Sequence, residues 1–229
     1  MGDDAKNGGR SGQSADRVVS SPVKRLSADR RREQLFAVAL RLFATSGYNA
    51  TTMDDIAEAA GVTKPLVYQH FASKRALYLE LMDVFSHEIV AAIARATRAA
   101  DGPRQQVELG FGAYFELMLA DERAFRLLYG RDAPDDHELG AALRRVEETI
   151  AEAIDPLIDA GLEPEHRLLL AHAVVGMAEG ASRHWLDRHA RNSAGNGTRG
   201  GDEAAAEAAQ LATRLADFAW AGLRQVHRA

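Results

Sequence analysis

Lys64, Tyr68, Gln69 and His70 stand within one short segment, with Lys64 one helical turn before Tyr68. An ammonium, a side-chain amide, a phenol and an imidazole offer hydrogen bonds of different direction and charge. On the free side of one helix they form a polar, partly basic face suited to a DNA groove. The flanking residues supply the helices that such a face needs. Thr52 caps a first helix, and Asp55, three residues on, completes a capping-box pattern. Ile56, Ala57 and Ala60 give that helix an apolar stripe. Gly61 follows as its stop, where a left-handed conformation favours glycine. Thr63 is a natural N-cap for a second helix, with Pro65 in its first turn, where a missing N–H costs nothing. Val62, Leu66, Val67 and Phe71 then pack back onto the first helix. The pattern is a helix-turn-helix whose second helix enters a groove.

Composition sets the bounds. The 229 residues are 46% hydrophobic and 27% charged, as in an ordinary globular protein. A chain of this size buries roughly 70% of its unfolded surface, enough for one large core or two modest ones. The absence of cysteine excludes disulfides, thiolate metal sites and cysteine nucleophiles. No apolar run approaches the roughly 20 residues that span a bilayer, and the polar N-terminus carries no signal-peptide core. The expected location is therefore the cytoplasm, without membrane contact. Net charge is −5, unevenly divided: residues 1–82 sum to +3 and the remainder to −8. A basic head on an acidic body implies that only the head meets phosphate.

An enzyme is the competing class, and the motifs argue against it. His184 and His189 bracket Asp187, and His166 follows Glu163 and Glu165, but none has a zinc-binding spacing such as His-Glu-x-x-His. No phosphate-binding glycine loop or nucleophile elbow occurs. No catalytic residue, metal or cofactor is therefore expected. His172, on a mostly apolar helix, reads as a hydrogen-bonded core or pocket histidine.

Along the chain, residues 1–26 lack apolar periodicity and read as a disordered arm. Its Lys24 and Arg25, with Arg30, Arg31 and Arg32 beyond, are placed to reach the sugar-phosphate backbone or a minor groove; for the part before Val23 an inert tail is the alternative. Ser27 caps a helix to about Thr45. After the helix-turn-helix, Ser73 caps a longer one running towards Ala99. Further helices are expected at about 104–119, 121–130, 136–160, 164–188 and 203–226, with an exposed, mobile loop from Ala190 to Gly201. No convincing strand exists. The fold class is all-α: a three-helix DNA-binding domain at 27–82 and a larger helical effector-binding and dimerisation domain at 83–229.

These residues resemble the TetR family of bacterial one-component transcriptional regulators. The likeness rests on Thr51-Thr52, Ile56-Ala57, Ala60-Gly61-Val62, Tyr68, His70-Phe71, Ser73-Lys74 and Leu77, across roughly residues 27–82. Val67 stands where the family usually has leucine, and Arg75 where glutamate is common. The resemblance implies that Thr63, Lys64, Pro65 and Gln69 meet base edges of double-stranded operator DNA. Lysine suits guanine, glutamine suits adenine, and a proline ring packs on thymine methyls. It implies that Thr52, Tyr68, His70 and Lys74 hold phosphates and set register. A packing role for Tyr68, a plain surface role for His70 and solvated surface lysines at Lys64 and Lys74 remain the alternatives.

Phe125-Arg126-Leu127-Leu128-Tyr129, Val175-Gly176-Met177, Arg183-His184-Trp185-Leu186-Asp187 and Phe218-Ala219-Trp220 are similar to the actinobacterial members that control fatty-acid synthesis genes. That similarity implies long-chain acyl-CoA as effector; regulators of efflux or catabolic genes with other hydrophobic ligands share such patterns. Aromatic, leucine and methionine residues of the body, Leu169 among them, must be buried. Phe111, Tyr114, Phe115, Met118 and Met177 are the candidates to line an apolar effector pocket, with plain core packing as the alternative. A lone helix-turn-helix reads too little DNA, so a homodimer on two half-sites is expected. Ala173, Gly176, Gly180 and Ala181, with Leu215, Phe218, Ala219 and Leu223, are the candidates for its four-helix interface. Trp185 and Trp220 fit either that interface or the core.

Overall fold

Small hydroxyl side chains begin the N-terminal helices. Ser27 accepts from the Arg30 N–H and opens α1 (Ala28–Ser46). Thr52 and Asp55 close a complete capping box on α2 (Met53–Ala60). Gly61, at φ 65°, turns the chain in the left-handed region that favours glycine. Thr63 occupies the N-cap of α3 (Lys64–His70), yet its side chain makes no capping bond. Pro65 in the first turn removes one N–H that would otherwise need a partner. Ser73 caps α4 (Lys74–Thr97) by accepting from Ala76.

The body consists of α5 (Pro103–Ala120), α6 (Glu122–Tyr129), α7 (His137–Ile154), α8 (Pro164–Gly195) and α9 (Gly201–Val226). The computed structural model describes residues 27–129, 137–158, 161–195 and 201–226. The expected N-terminal arm lies outside them. No strand occurs among the described residues. Helices α2 and α3 pack on each other and α1 packs on α2 and α6; α5 lies between α4 and α9, and α7 between α4 and α8. A continuous hydrophobic core runs from Leu35 to Leu223. The boundary expected at 82/83 falls inside α4, which serves both the head and the body.

Two element boundaries differ from expectation. The helix expected to reach residue 160 ends at Ile154 in a 3-10 turn, Asp155–Leu157, because Pro156 cannot continue the α-helical hydrogen bonding. The helix expected to end near 188 continues to Gly195, so the start of the anticipated loop is helical. Residues 196–200 lie outside the described set.

Candidate nucleic-acid interface and ligand cavity

Helix α3 buries Val67, tucks in Leu66, and leaves Thr63, Lys64, Pro65, Tyr68 and Gln69 exposed. Tyr68 is 46% exposed, and its hydroxyl has no hydrogen-bond partner among the described residues. His70 is half-buried beside the Phe71 ring. The Lys64 ammonium is not free: Nζ lies 2.8 Å from Asp54 Oδ2 at the start of α2. That hydrogen bond, with the charge behind it, raises the lysine's pKa. The Thr52 hydroxyl is committed within its own capping box, donating to Asp55 at 2.7 Å.

Lys74 departs most from the sequence expectation. Its ammonium donates to the Tyr48 and Thr51 carbonyls at 2.7 and 2.8 Å and sits 4.2 Å from the centre of the Tyr48 ring. Burial lowers its pKa, with Asp55 opposing. One of three donors remains for a phosphate. Arg32 is likewise inward, bonded to Glu80 and to the His70 carbonyl at 2.8 Å and stacked over Phe71. Thr51, buried, donates to the Gly47 carbonyl at 2.9 Å. Sequence reading missed this brace of Arg32, Tyr48 and Thr51, because the bonds from Lys74 and Arg32 that build it link residues 23 to 48 positions apart.

The body holds an apolar cavity of about 90 Å³. Ile93 and Thr97 of α4, Phe111 and Tyr114 of α5, Tyr129 of α6, and Trp220 of α9 are among its walls. Of the five pocket candidates, Phe111 and Tyr114 line it. Phe115 and Met118 are fully buried in the core instead, and Met177 packs against the core from α8. The reasons are geometric: Phe115 is turned about 100° from Tyr114, and Met118 lies one turn beyond it along α5. Tyr129, Gln106 and Thr97 are lining residues that helical periodicity on single elements did not reveal. A polar vestibule adjoins the cavity and shares Pro103, Gln106, Leu157 and Ile158 with it. In the vestibule Arg167 is held by Asp155 through two bonds of 3.0 Å.

On α8 and α9 the outward faces are sorted differently from expectation. Ala173, Gly176, Gly180 and Phe218 are exposed, the last at 69%, whereas Ala219 and Leu223 are buried within the protomer and unavailable to a partner. Leu169, expected in the core, is 64% exposed, and His172 faces outward beside it. Trp185 is core, stacked on His189 at 3.6 Å, while Trp220 faces the cavity. No cluster of metal-ligating side chains occurs, and no helix is long and apolar enough to cross a membrane, among the described residues.

Residues 35–81 match the family model described as bacterial regulatory proteins, tetR family. The chain is 30% identical, over 99% of its length and 98% of the relative's, to the HTH-type transcriptional activator FasR of Mycolicibacterium smegmatis. A shorter match, 39% identical over 62 residues (27% of this chain, 29% of the relative), joins it to the HTH-type transcriptional regulator AcrR of Shigella flexneri. Among solved structures, the fatty acid degradation regulator FadR from Bacillus halodurans shares the fold at TM-score 0.67 and 17% identity, covering 84% of this chain and 97% of its own. FadR from Bacillus subtilis in complex with stearoyl-CoA does so at 0.64 and 15%, covering 80% and 97%.

Proposed function

The chain belongs to the TetR family and is a DNA-binding transcriptional regulator rather than an enzyme, and from that premise we propose how it reads DNA and what releases it. Regulators of this family bind operator DNA and ligands, typically as dimers. Thr63, Lys64, Pro65 and Gln69 read base edges from the exposed side of α3, and Tyr68, His70 and the remaining donor of Lys74 hold phosphates, whereas Thr52, expected among them, has given both its N–H and its O–H to Asp55. Two protomers pair through the exposed Ala173, Gly176, Gly180 and Phe218 faces, setting two copies of α3 on successive half-sites.

One observation carries the regulatory reading: α4 is unbroken from Lys74, beneath the DNA-binding head, to Ile93 and Thr97 in the cavity wall. Lys74 and Ile93 are about 29 Å apart along α4 at 1.5 Å per residue. A ligand that displaces Ile93 therefore tilts the whole lever and changes the spacing of the two recognition helices. Coupling of this kind is worth about 1–3 kcal/mol. The effector is an amphipathic molecule, its apolar part in the slot and its polar part in the vestibule. Long-chain acyl-CoA has that form, and the stearoyl-CoA held by the structurally similar Bacillus subtilis FadR supports the choice. A chain longer than the slot enters by spreading its walls, which is the motion that α4 transmits.

The test is a gel-shift titration on promoter DNA flanking the chain's own gene, with and without palmitoyl-CoA, beside Lys64→Ala. Sequence-specific binding that palmitoyl-CoA alters supports both parts. Lys64→Ala should blur one operator position at roughly 1–3 kcal/mol. Binding indifferent to palmitoyl-CoA would discard the acyl-CoA assignment and keep the DNA-reading face.

A further inference from the structure

Three hydroxyls meet at the inner end of the cavity. Ser182 Oγ donates to the Tyr114 hydroxyl at 3.1 Å, and Tyr129 brings its own hydroxyl within reach of Tyr114. All three residues are buried, at 0%, 4% and 4% exposure. Three O–H protons thus share at most two contacts, so at least one lacks an acceptor among the described residues. A buried donor without an acceptor is costly, and native proteins keep such groups for a reason. Tyr114 and Tyr129 both line the cavity and Ser182 does not. With Ser182 donating, the surplus proton belongs to one of the two phenols facing the ligand space.

The surroundings define what can accept it. Burial raises the Tyr114 phenol to about 12, with the hydrogen bonds from Ser182 and Tyr129 opposing, and burial and the Tyr114 hydroxyl raise the Tyr129 phenol well above its ordinary value. Both remain protonated donors at neutral pH. The cavity lining contains no lysine, arginine or histidine. A free carboxylate pushed to this end would be buried without a counter-charge, which is strongly disfavoured. From Gln106 at the vestibule to Tyr114 the slot follows eight residues of α5, about 12 Å.

We infer that the cavity selects an uncharged chain bearing an oxygen acceptor, a ketone or alcohol, at the end that reaches Tyr114 and Tyr129. This deepens the effector reading above and rests on it: an acyl chain oxygenated near its buried tip is held better than a plain hydrocarbon tip. The phenols supply the specificity, and the apolar walls supply the rest of the affinity.

The experiment is calorimetric titration of the full chain with 2-decanone, decane and decanoate, on wild type, Tyr114→Phe, Tyr129→Phe and Ser182→Ala. Wild type is expected to bind the ketone roughly fivefold more tightly than the alkane, the size of one net hydrogen bond. The tyrosine variants should lose most of that preference while holding their alkane affinity. Ser182→Ala leaves both phenols in place and should keep it, and melting curves establish that each variant is folded. Ketone preference unchanged in both tyrosine variants, decanoate bound as tightly as the ketone, or no binding of any probe would each overturn the inference. Palmitoyl-CoA sensitivity of operator binding, read on the same preparations, tests the effector reading separately.

Discussion

The Lys64 ammonium must leave Asp54 before it can donate to a base. Both side chains are exposed, so the pair is weak and the exchange for a guanine edge costs little. In the proposed docking, Asp54 also places a negative charge beside the DNA. Asp54→Asn should therefore tighten operator binding by up to about fivefold, measured by fluorescence anisotropy across a salt series. Unchanged or weaker binding would mean that Lys64 stays on Asp54 in the complex. Lys74 makes the opposite case, since its stem and ammonium already serve the fold. Lys74→Met strands the Tyr48 and Thr51 carbonyls and should lower stability by about 1.5 kcal/mol in urea unfolding, besides weakening binding on every DNA sequence. A variant as stable as wild type would assign Lys74 to phosphate alone.

At the scale of elements, α3 has seven residues, too few to hold a helix by itself. Its geometry comes from Val67 and Phe71 packing inward and from the Gly61 turn behind it. Between α7 and α8 the contact is electrostatic as well as apolar. Burial raises the Glu147 carboxyl, and so do the charge of Glu179 and a hydrogen bond with it; Arg183 and Arg144 oppose. A carboxyl whose pKa is raised on folding stabilises most below its ordinary value and loses that contribution as pH rises through the raised value. Wild-type melting temperature should thus fall across the weakly acidic range relative to Glu147→Gln, which cannot lose a proton. Parallel profiles for the two proteins would show that no proton is held between α7 and α8.

At the scale of the whole molecule, one rigid lever joins two jobs. The Tyr78 hydroxyl, on α4, donates to the Leu127 carbonyl at 3.1 Å, and Tyr78 meets Phe43 and Tyr48 edge-on, so the head cannot turn without α4. In the proposed dimer, the spacing of the two heads then depends on how the protomers pair. A phenylalanine as exposed as Phe218 on α9, together with the open Gly176 and Gly180 on α8, fits a covered interface better than a solvated surface. Phe218→Glu should shift the protein to monomer in size-exclusion chromatography and cost most of its operator affinity. If it stays dimeric, the partner sits on another face.

The sequence by itself determined the helical class, the helix-turn-helix, its caps and turns, and Tyr68, Gln69 and Pro65 as an exposed group. Each is a local property: a cap needs its partner three residues away, and a stripe needs only a 3.6-residue period. Pro156 and the length of α8 were misjudged where a local stop signal competes with continued packing. Only the tertiary structure decided that Lys74 turns inward, that Lys64 rests on Asp54, and that Leu169 and His172 face outward. It also separated Trp220, in the cavity wall, from Trp185, in the core. Tyr114 and Ser182 stand 68 residues apart, on helices whose relative rotation no single-element pattern encodes. Periodicity says that a helix has an apolar side; which neighbour covers that side, and which polar atoms are left over at the seam, is settled only when the helices pack.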